Sequence, residues 1–311
     1  MRTLRGACAL LACLGLLPAA ARAEADAAPD RVQIYIMPDT QSWAWNQGGT
    51  SLETWRGVAQ ALCRQRQRFA MVLHTGDLVD TPRTRPEEWT NALSVMKELD
   101  ACAMPYAVAF GNHDYDNYPA PSADKTAAGD ERWQAVTSAL AYHPAERAPS
   151  GRGGLYPLVP GWFVLTADLQ PDAADLRWIA AEIAERPGAR FVLLHHECVK
   201  ASGVSYEWCS QLFEKHPEIW LAISGHWLGN SRNGWNEVRR ANGSKLVALY
   251  QNYQHVPDLA GWGVVLELEP GSGDLCVWTE DPRSGSVGHP AASSSLAGAV
   301  RAGPGKRCFR R

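Results

Sequence analysis

Short runs of consecutive apolar residues alternate along this chain with longer stretches whose apolar positions recur every three or four residues. The runs are Val32–Met37, Phe69–His74, 106–110, 191–194 and 220–223. Apolar side chains at successive positions over so short a span predict strands buried on both faces. Residues 52–66, 87–99 and 172–185 carry the helical repeat, with Pro86 at the start of the second, and 131–141 and 206–215 read as further helices. Strand and helix in alternation argue for βαβ units and a largely parallel sheet. Residues 154–158 and 162–167 read as a hairpin around Pro160-Gly161. Beyond Asn230 the pattern turns all-β, with strands expected at 237–240, 245–251, 263–269 and 275–279. No internal repeat is present. Residues 285–305, rich in Gly, Ala, Ser and Pro, form a low-complexity stretch.

Each of the five runs ends in a polar block. These are Asp39-Thr40-Gln41, Gly76-Asp77-Leu78-Val79-Asp80, Gly111-Asn112-His113-Asp114, His195-His196 and Gly225-His226. Ligands of open α/β sheets collect at the carboxyl ends of the strands. A lone Asp there suits a helix cap. Capping does not account for Asp, Asn and His delivered to five strand ends. Oxygen and imidazole donors together suit a hard or borderline divalent ion.

Composition narrows the setting. Arg2 and Arg5, an apolar stretch from Ala7 to Leu17, and Ala21-Arg22-Ala23 read as a signal peptide over residues 1–23. The expected product is exported, periplasmic or secreted. No later segment has the roughly 20 apolar residues of a spanning helix. The formal charge is −3, and removal of three arginines takes it near −6. Without a basic excess, no specific nucleic-acid binding is expected. The expected layout is one large domain over residues 24–283 and a tail over 284–311. Six cysteines remain after residue 23, an even number that favours disulfides in an exported chain. Their positions suggest Cys63–Cys102, Cys198–Cys209 and Cys276–Cys308, the last tying the tail to a late strand.

The order of the polar blocks resembles the calcineurin-like metallophosphoesterase superfamily. That pattern runs Asp-x-His, Gly-Asp-x-x-Asp/Asn, Gly-Asn-His-Asp/Glu, a single His, and Gly-His-x-His. The resemblance covers roughly residues 32–268, and its second and third blocks match without change. It implies an α/β/β/α sandwich of two mixed sheets flanked by helices, holding two divalent metal ions (Mn, Fe, Zn or Mg). Asp77 falls on the bridging ligand, Asn112 and His226 on further ligands, and the fourth block on His195 or His196. His195, first after the strand, is the expected ligand. Asp39 and Gln41 fall on the other metal position.

Two departures cluster there: Gln41 replaces the usual His, and Leu228 stands where the final His belongs. Asp-Thr-Gln paired with Gly-His-x-Leu looks like a variant subgroup, with Gln41 favouring harder ions. The resemblance implies a metal-dependent hydrolase of a small phosphorylated substrate, in which activated water attacks phosphorus in line, with a lean towards phosphodiesters. His113 falls on the acid that meets the leaving group, and Asp80 on its orienting partner. The rival expectation is a non-catalytic binding protein on the same fold. His74 reads as a core histidine, Glu197 equally as a partner behind the ligands or a solvated residue, and His255 as a loop residue that could reach the pocket.

Overall fold

Successive residues of β1 (Val32–Met37) divide between two cores. Ile34 and Ile36 enter one, Tyr35 and Met37 the other, as the two-residue period of a strand requires. This is why the runs are apolar throughout rather than alternating. The computed structural model describes residues 29–45, 51–115, 131–200, 202–227, 233–253, 260–288, 300–301 and 306–310.

The next strands are β2 (Phe69–His74), β3 (Tyr106–Val108), β4 (Glu146–Arg147), β5 (Gly154–Val159), β6 (Trp162–Thr166), β7 (Arg190–Leu194), β8 (Val199–Lys200) and β9 (Gly203–Val204). They are followed by β10 (Ile219–Ser224), β11 (Asn233–Arg239), β12 (Lys245–Gln251), β13 (Gly263–Leu268), β14 (Leu275–Asp281), β15 (Ser286–Val287), β16 (Val300–Arg301) and β17 (Arg307–Phe309). Helices are α1 (Gln41–Ala44), α2 (Leu52–Arg64), α3 (Glu87–Ala101), α4 (Glu131–Ala139), α5 (Ala173–Ala184) and α6 (Glu207–Lys215). Side-chain caps start two of them. Ser51 Oγ accepts the Thr54 N–H of α2, and the Asp172 carboxylate accepts the Ala174 and Asp175 N–H groups of α5.

One sheet runs β16-β17-β14-β13-β1-β2-β3, with β15 on β14, and the other runs β11-β12-β10-β7-β6-β5-β4. Parallel strands β1, β2 and β3 form one end of the first sheet, with β3 at its edge, and β12, β10, β7 and β6 form the middle of the second. Between the sheets lies a core of Ile34, Ile36, Leu73, Val192, Leu194, Leu221 and Ile223. Helices α2, α3 and α4 cover the outer face of the first sheet through Trp55, Leu62, Trp89, Met96 and Trp133. Helices α5 and α6 cover the second through Ile179, Ile183, Leu212 and Phe213. The result is the expected four-layer α/β/β/α sandwich.

Differences from the sequence reading are local. Strand β3 ends at Val108 because the chain turns out of the ladder towards the Gly111 loop. Helix α1 is one turn, and β4, β8, β9, β15 and β16 are two residues each, too short to show a period. Among the described residues no helix is long and apolar enough to cross a membrane.

All three disulfides join the expected partners: Cys63–Cys102, Cys198–Cys209 and Cys276–Cys308. The third spans 32 residues and holds β17, in the tail, against β14. Closing a loop of that size removes about 3–4 kcal/mol of unfolded-chain entropy. Replacing Cys276 and Cys308 together by alanine should therefore lower urea-unfolding stability by about 3 kcal/mol. An unchanged midpoint would mean that the pair is not bridged in the isolated protein.

Candidate metal centre

The carboxyl ends of β1, β2, β3, β7 and β10 meet at one edge of the sandwich, and there the polar blocks converge. Asn112 Oδ1 lies 2.8 Å from His226 Nδ1 and 3.1 Å from His196 Nε2. Asp77 Oδ2 lies 3.1 Å from the same His196 nitrogen. Ligand atoms of Asp77, His196 and His226 fall within 4.8 Å of one another. Asp39 approaches His196 from its other side, Oδ1 to Nδ1, at 4.0 Å.

The backbone bends to allow this. Asp77 and His226 both lie in the left-handed region, at φ 53° and 62°, which non-glycine residues rarely adopt outside sites that the surrounding structure enforces. Two glycines permit the close approach. A Cβ at Gly111 would overlap the Asp77 carboxylate, and one at Gly225 would overlap Asp39 Oδ1.

The sequence reading chose His195, and the structure places His196 there instead. Side chains of β7 alternate between layers, so His196 lies on the side of Val192 and Leu194, and His195 on that of Phe191 and Leu193. His195 packs edge-on against Trp208 of α6. Its Nε2 donates to the Asp168 carbonyl at 2.9 Å and its Nδ1 accepts the Glu197 N–H at 3.1 Å. Neither nitrogen retains a lone pair for a metal, and burial lowers its pKa to about 4. His196 is arranged for ligation: Nδ1–H donates to the Thr75 carbonyl at 2.8 Å, which turns Nε2 towards Asp77 and Asn112.

The electrostatics explain why a cation belongs here. Burial pushes Asp39 up to about 7, with His196 pulling down and Asp77 pushing further up. Asp77 moves the other way: burial resists its charge, but His196 and His113 hold it well below the usual carboxylate range. Burial also works against a charged His196, yet Asp77 and Asp39 outweigh it and raise that ring to about 10. Two enclosed carboxylates thus share one imidazolium, a shortfall of positive charge that a divalent ion would meet. Gln41 Oε1 is buried two residues from Asp39 and has no hydrogen-bond partner among the described residues. A buried amide oxygen is costly to leave unmatched. Carboxylate, amide and imidazole donors together fit Mn, Mg, Fe or Zn.

His113 lies at the rim, its side chain 18% exposed. Its backbone N–H donates to Asp77 Oδ1 at 2.9 Å. Its Nδ1 donates to the Asp80 carbonyl at 2.7 Å, with Asp80 Oδ1 at 3.4 Å. Burial opposes charge on this ring, but Asp77 and Asp80 outweigh it and raise the pKa to about 9. Arg85 in turn pairs with Asp80 at 2.9 Å and lies over the Trp45 ring. His74 is the core histidine expected: it accepts the Gly76 N–H, donates to Thr40 Oγ1, and burial lowers its pKa to about 3. Trp43 and Trp235 are core residues. Leu228, His255 and residues 1–23 lie outside the described residues.

Three further residues hold the ligands and loops in place: Thr75, Asn252 and Asp114. Asp39 Oδ1 accepts the Thr75 hydroxyl at 2.7 Å, and Oδ2 accepts the Asn252 amide at 2.7 Å and the His226 N–H at 2.8 Å. Asn252 also donates to the His226 carbonyl. The third is Asp114, fully buried, whose carboxylate accepts N–H groups from Asp77, Leu78 and Gly111 at 2.8–3.0 Å.

Residues 33–230 match the family described as calcineurin-like phosphoesterase. The chain belongs to that family. A manganese-dependent ADP-ribose/CDP-alcohol diphosphatase of Danio rerio is 28% identical over 163 residues, 52% of this chain and 39% of that protein. The match therefore reaches well under half of that relative's length. A dimetal phosphatase from Danio rerio superposes with a TM-score of 0.54 at 13% identity, covering 81% of this chain and 96% of that one. A purple acid phosphatase from yellow lupin does so at 0.54 and 13%, covering 83% and 52%. At such identity the likeness is one of fold.

The phosphoesterase loops depend on Asp114, since each hydrogen bond to its charge is worth about 1.5–3 kcal/mol. Asp114→Asn sets an amide against N–H donors and should lower unfolding free energy by about 3 kcal/mol. Denaturant titration of metal-free protein tests this. A loss under 1 kcal/mol would show that the loops hold without it.

Proposed function

We propose that this protein is an exported phosphoesterase that binds two divalent ions. It would act on a substituted phosphate, a diester or diphosphate, more readily than on a monoester. The observation that carries the reading is the convergence of Asp77, Asn112, His196 and His226 on one point, with His113 at its rim. The Danio rerio relative supports the substrate class, because it is an ADP-ribose/CDP-alcohol diphosphatase. The fold alone would serve a binding protein equally well. The paired His113 and Asp80 favour turnover, since a metal-binding module has no use for a positioned proton donor.

Asp77, Asn112, His196 and His226 would hold one ion, and Asp77, Asp39 and Gln41 the other. When bound, such ions neutralise phosphoryl oxygens and lower the pKa of water towards neutrality. The chain supplies the rest. Thr75 and Asn252 hold Asp39, and the Thr75 carbonyl orients His196. His113, with Nδ1 fixed by Asp80, would give a proton to the departing oxygen. Three disulfides suit an oxidising compartment and support removal of residues 1–23 on export.

The test uses residues 24–311 supplied with manganese and aryl phosphate mono- and diesters. Asp77→Asn should strip the metal and reduce turnover to background. His113→Ala should keep the metal and lower kcat by about 10²–10⁴-fold. Equal turnover by wild type and Asp77→Asn would end the enzyme reading.

A further inference from the structure

Asp77 and His196 are closed off from solvent, whereas the His226 side chain is 29% exposed. Among the described imidazoles of the site, His226 and His113 (18% exposed) meet solvent, and a substrate entering on that side would meet the His226 ring. Beside that ring lies Glu197, which no step above uses. Its Oε1 is 3.6 Å from His226 Nδ1, and its side chain is only 9% exposed. Glu197 is also held in place from several directions. Tyr206 O–H donates to Oε2. The Trp227 indole N–H donates to the Glu197 carbonyl at 3.4 Å, and the Glu197 N–H donates to His195. Cys198, the next residue, is bridged to Cys209 in α6. A carboxylate fixed this firmly beside the exposed imidazole would oppose a phosphoryl anion drawn there by bound ions.

We propose that Glu197 determines specificity, repelling the dianionic phosphoryl group of a monoester more than the monoanionic group of a diester or diphosphate. The inference rests on the phosphoesterase reading and deepens it. A fixed negative charge several ångströms from the phosphoryl oxygens acts on one additional substrate charge in the monoester. In a partly enclosed site that difference is worth about tenfold in relative rate. The repulsion should appear mainly in KM, because it acts on the bound phosphoryl group before any bond breaks.

The test compares kcat/KM for an aryl phosphate monoester and a bis-aryl phosphate diester in manganese-loaded residues 24–311. Glu197→Gln should raise the monoester-to-diester ratio about tenfold, through KM, with bound manganese unchanged. Inorganic phosphate should inhibit this variant more strongly than wild type. Glu197→Asp retains the charge and should keep the wild-type ratio, which separates charge from packing. An unchanged ratio in Glu197→Gln, with wild type active, overturns the proposal alone. Loss of manganese in that variant also overturns it, since Glu197 would then be a ligand. A wild type that binds manganese but hydrolyses neither ester overturns the phosphoesterase reading, and this proposal with it.

Discussion

Two carboxylates buried around a single imidazole ring are the constraint on which this molecule depends. Asp39 and Asp77 approach His196 from opposite sides, and all three are closed to water. Charges enclosed in this way are tolerated only when matched, because desolvation penalises each of them. The match here is incomplete with protein groups alone, and a divalent ion completes it. That enclosed negative charge raises the pKa values of His196 and His113 and makes the site one that a cation would suit.

Holding it requires the two sheets to act together. Asp39, Asp77 and Asn112 come from the first sheet, and His196 and His226 from the second. The interlocking apolar core between the sheets keeps their edges in register to within a hydrogen bond. Fine placement falls to backbone and neutral groups: the Thr75 carbonyl and hydroxyl, the Asn252 amide, and the N–H groups gathered by Asp114. None of these carries net charge into the site except Asp114, which lies behind the loops and ties the second block to the third. Glycine at 111 and 225 leaves the carboxylates room that a methyl group would take.

Much of this was legible beforehand because the blocks combine two local signals. An apolar run marks a strand covered on both sides, and the polar residues after it mark the sheet edge. Those signals placed Asp39, Asp77, Asn112 and His226 at one edge, and the cysteine positions indicated the bridges. The choice between His195 and His196 went the wrong way. Nearness to the strand end was used where strand parity decides: the ring on the Leu194 side enters the centre. Thr75 lay in plain polar context, where nothing local separates a ligand's anchor from an ordinary loop hydroxyl.

The order and chemistry of the blocks, and the strands that carry them, follow from the chain itself, since strand burial and turn chemistry act over a few residues. Which face each imidazole presents depends on how the two sheets stack, as does the carbonyl that orients it. So does the position of Glu197 beside His226. These depend on contacts between residues tens to hundreds of positions apart, which only the packed sandwich brings within hydrogen-bond range.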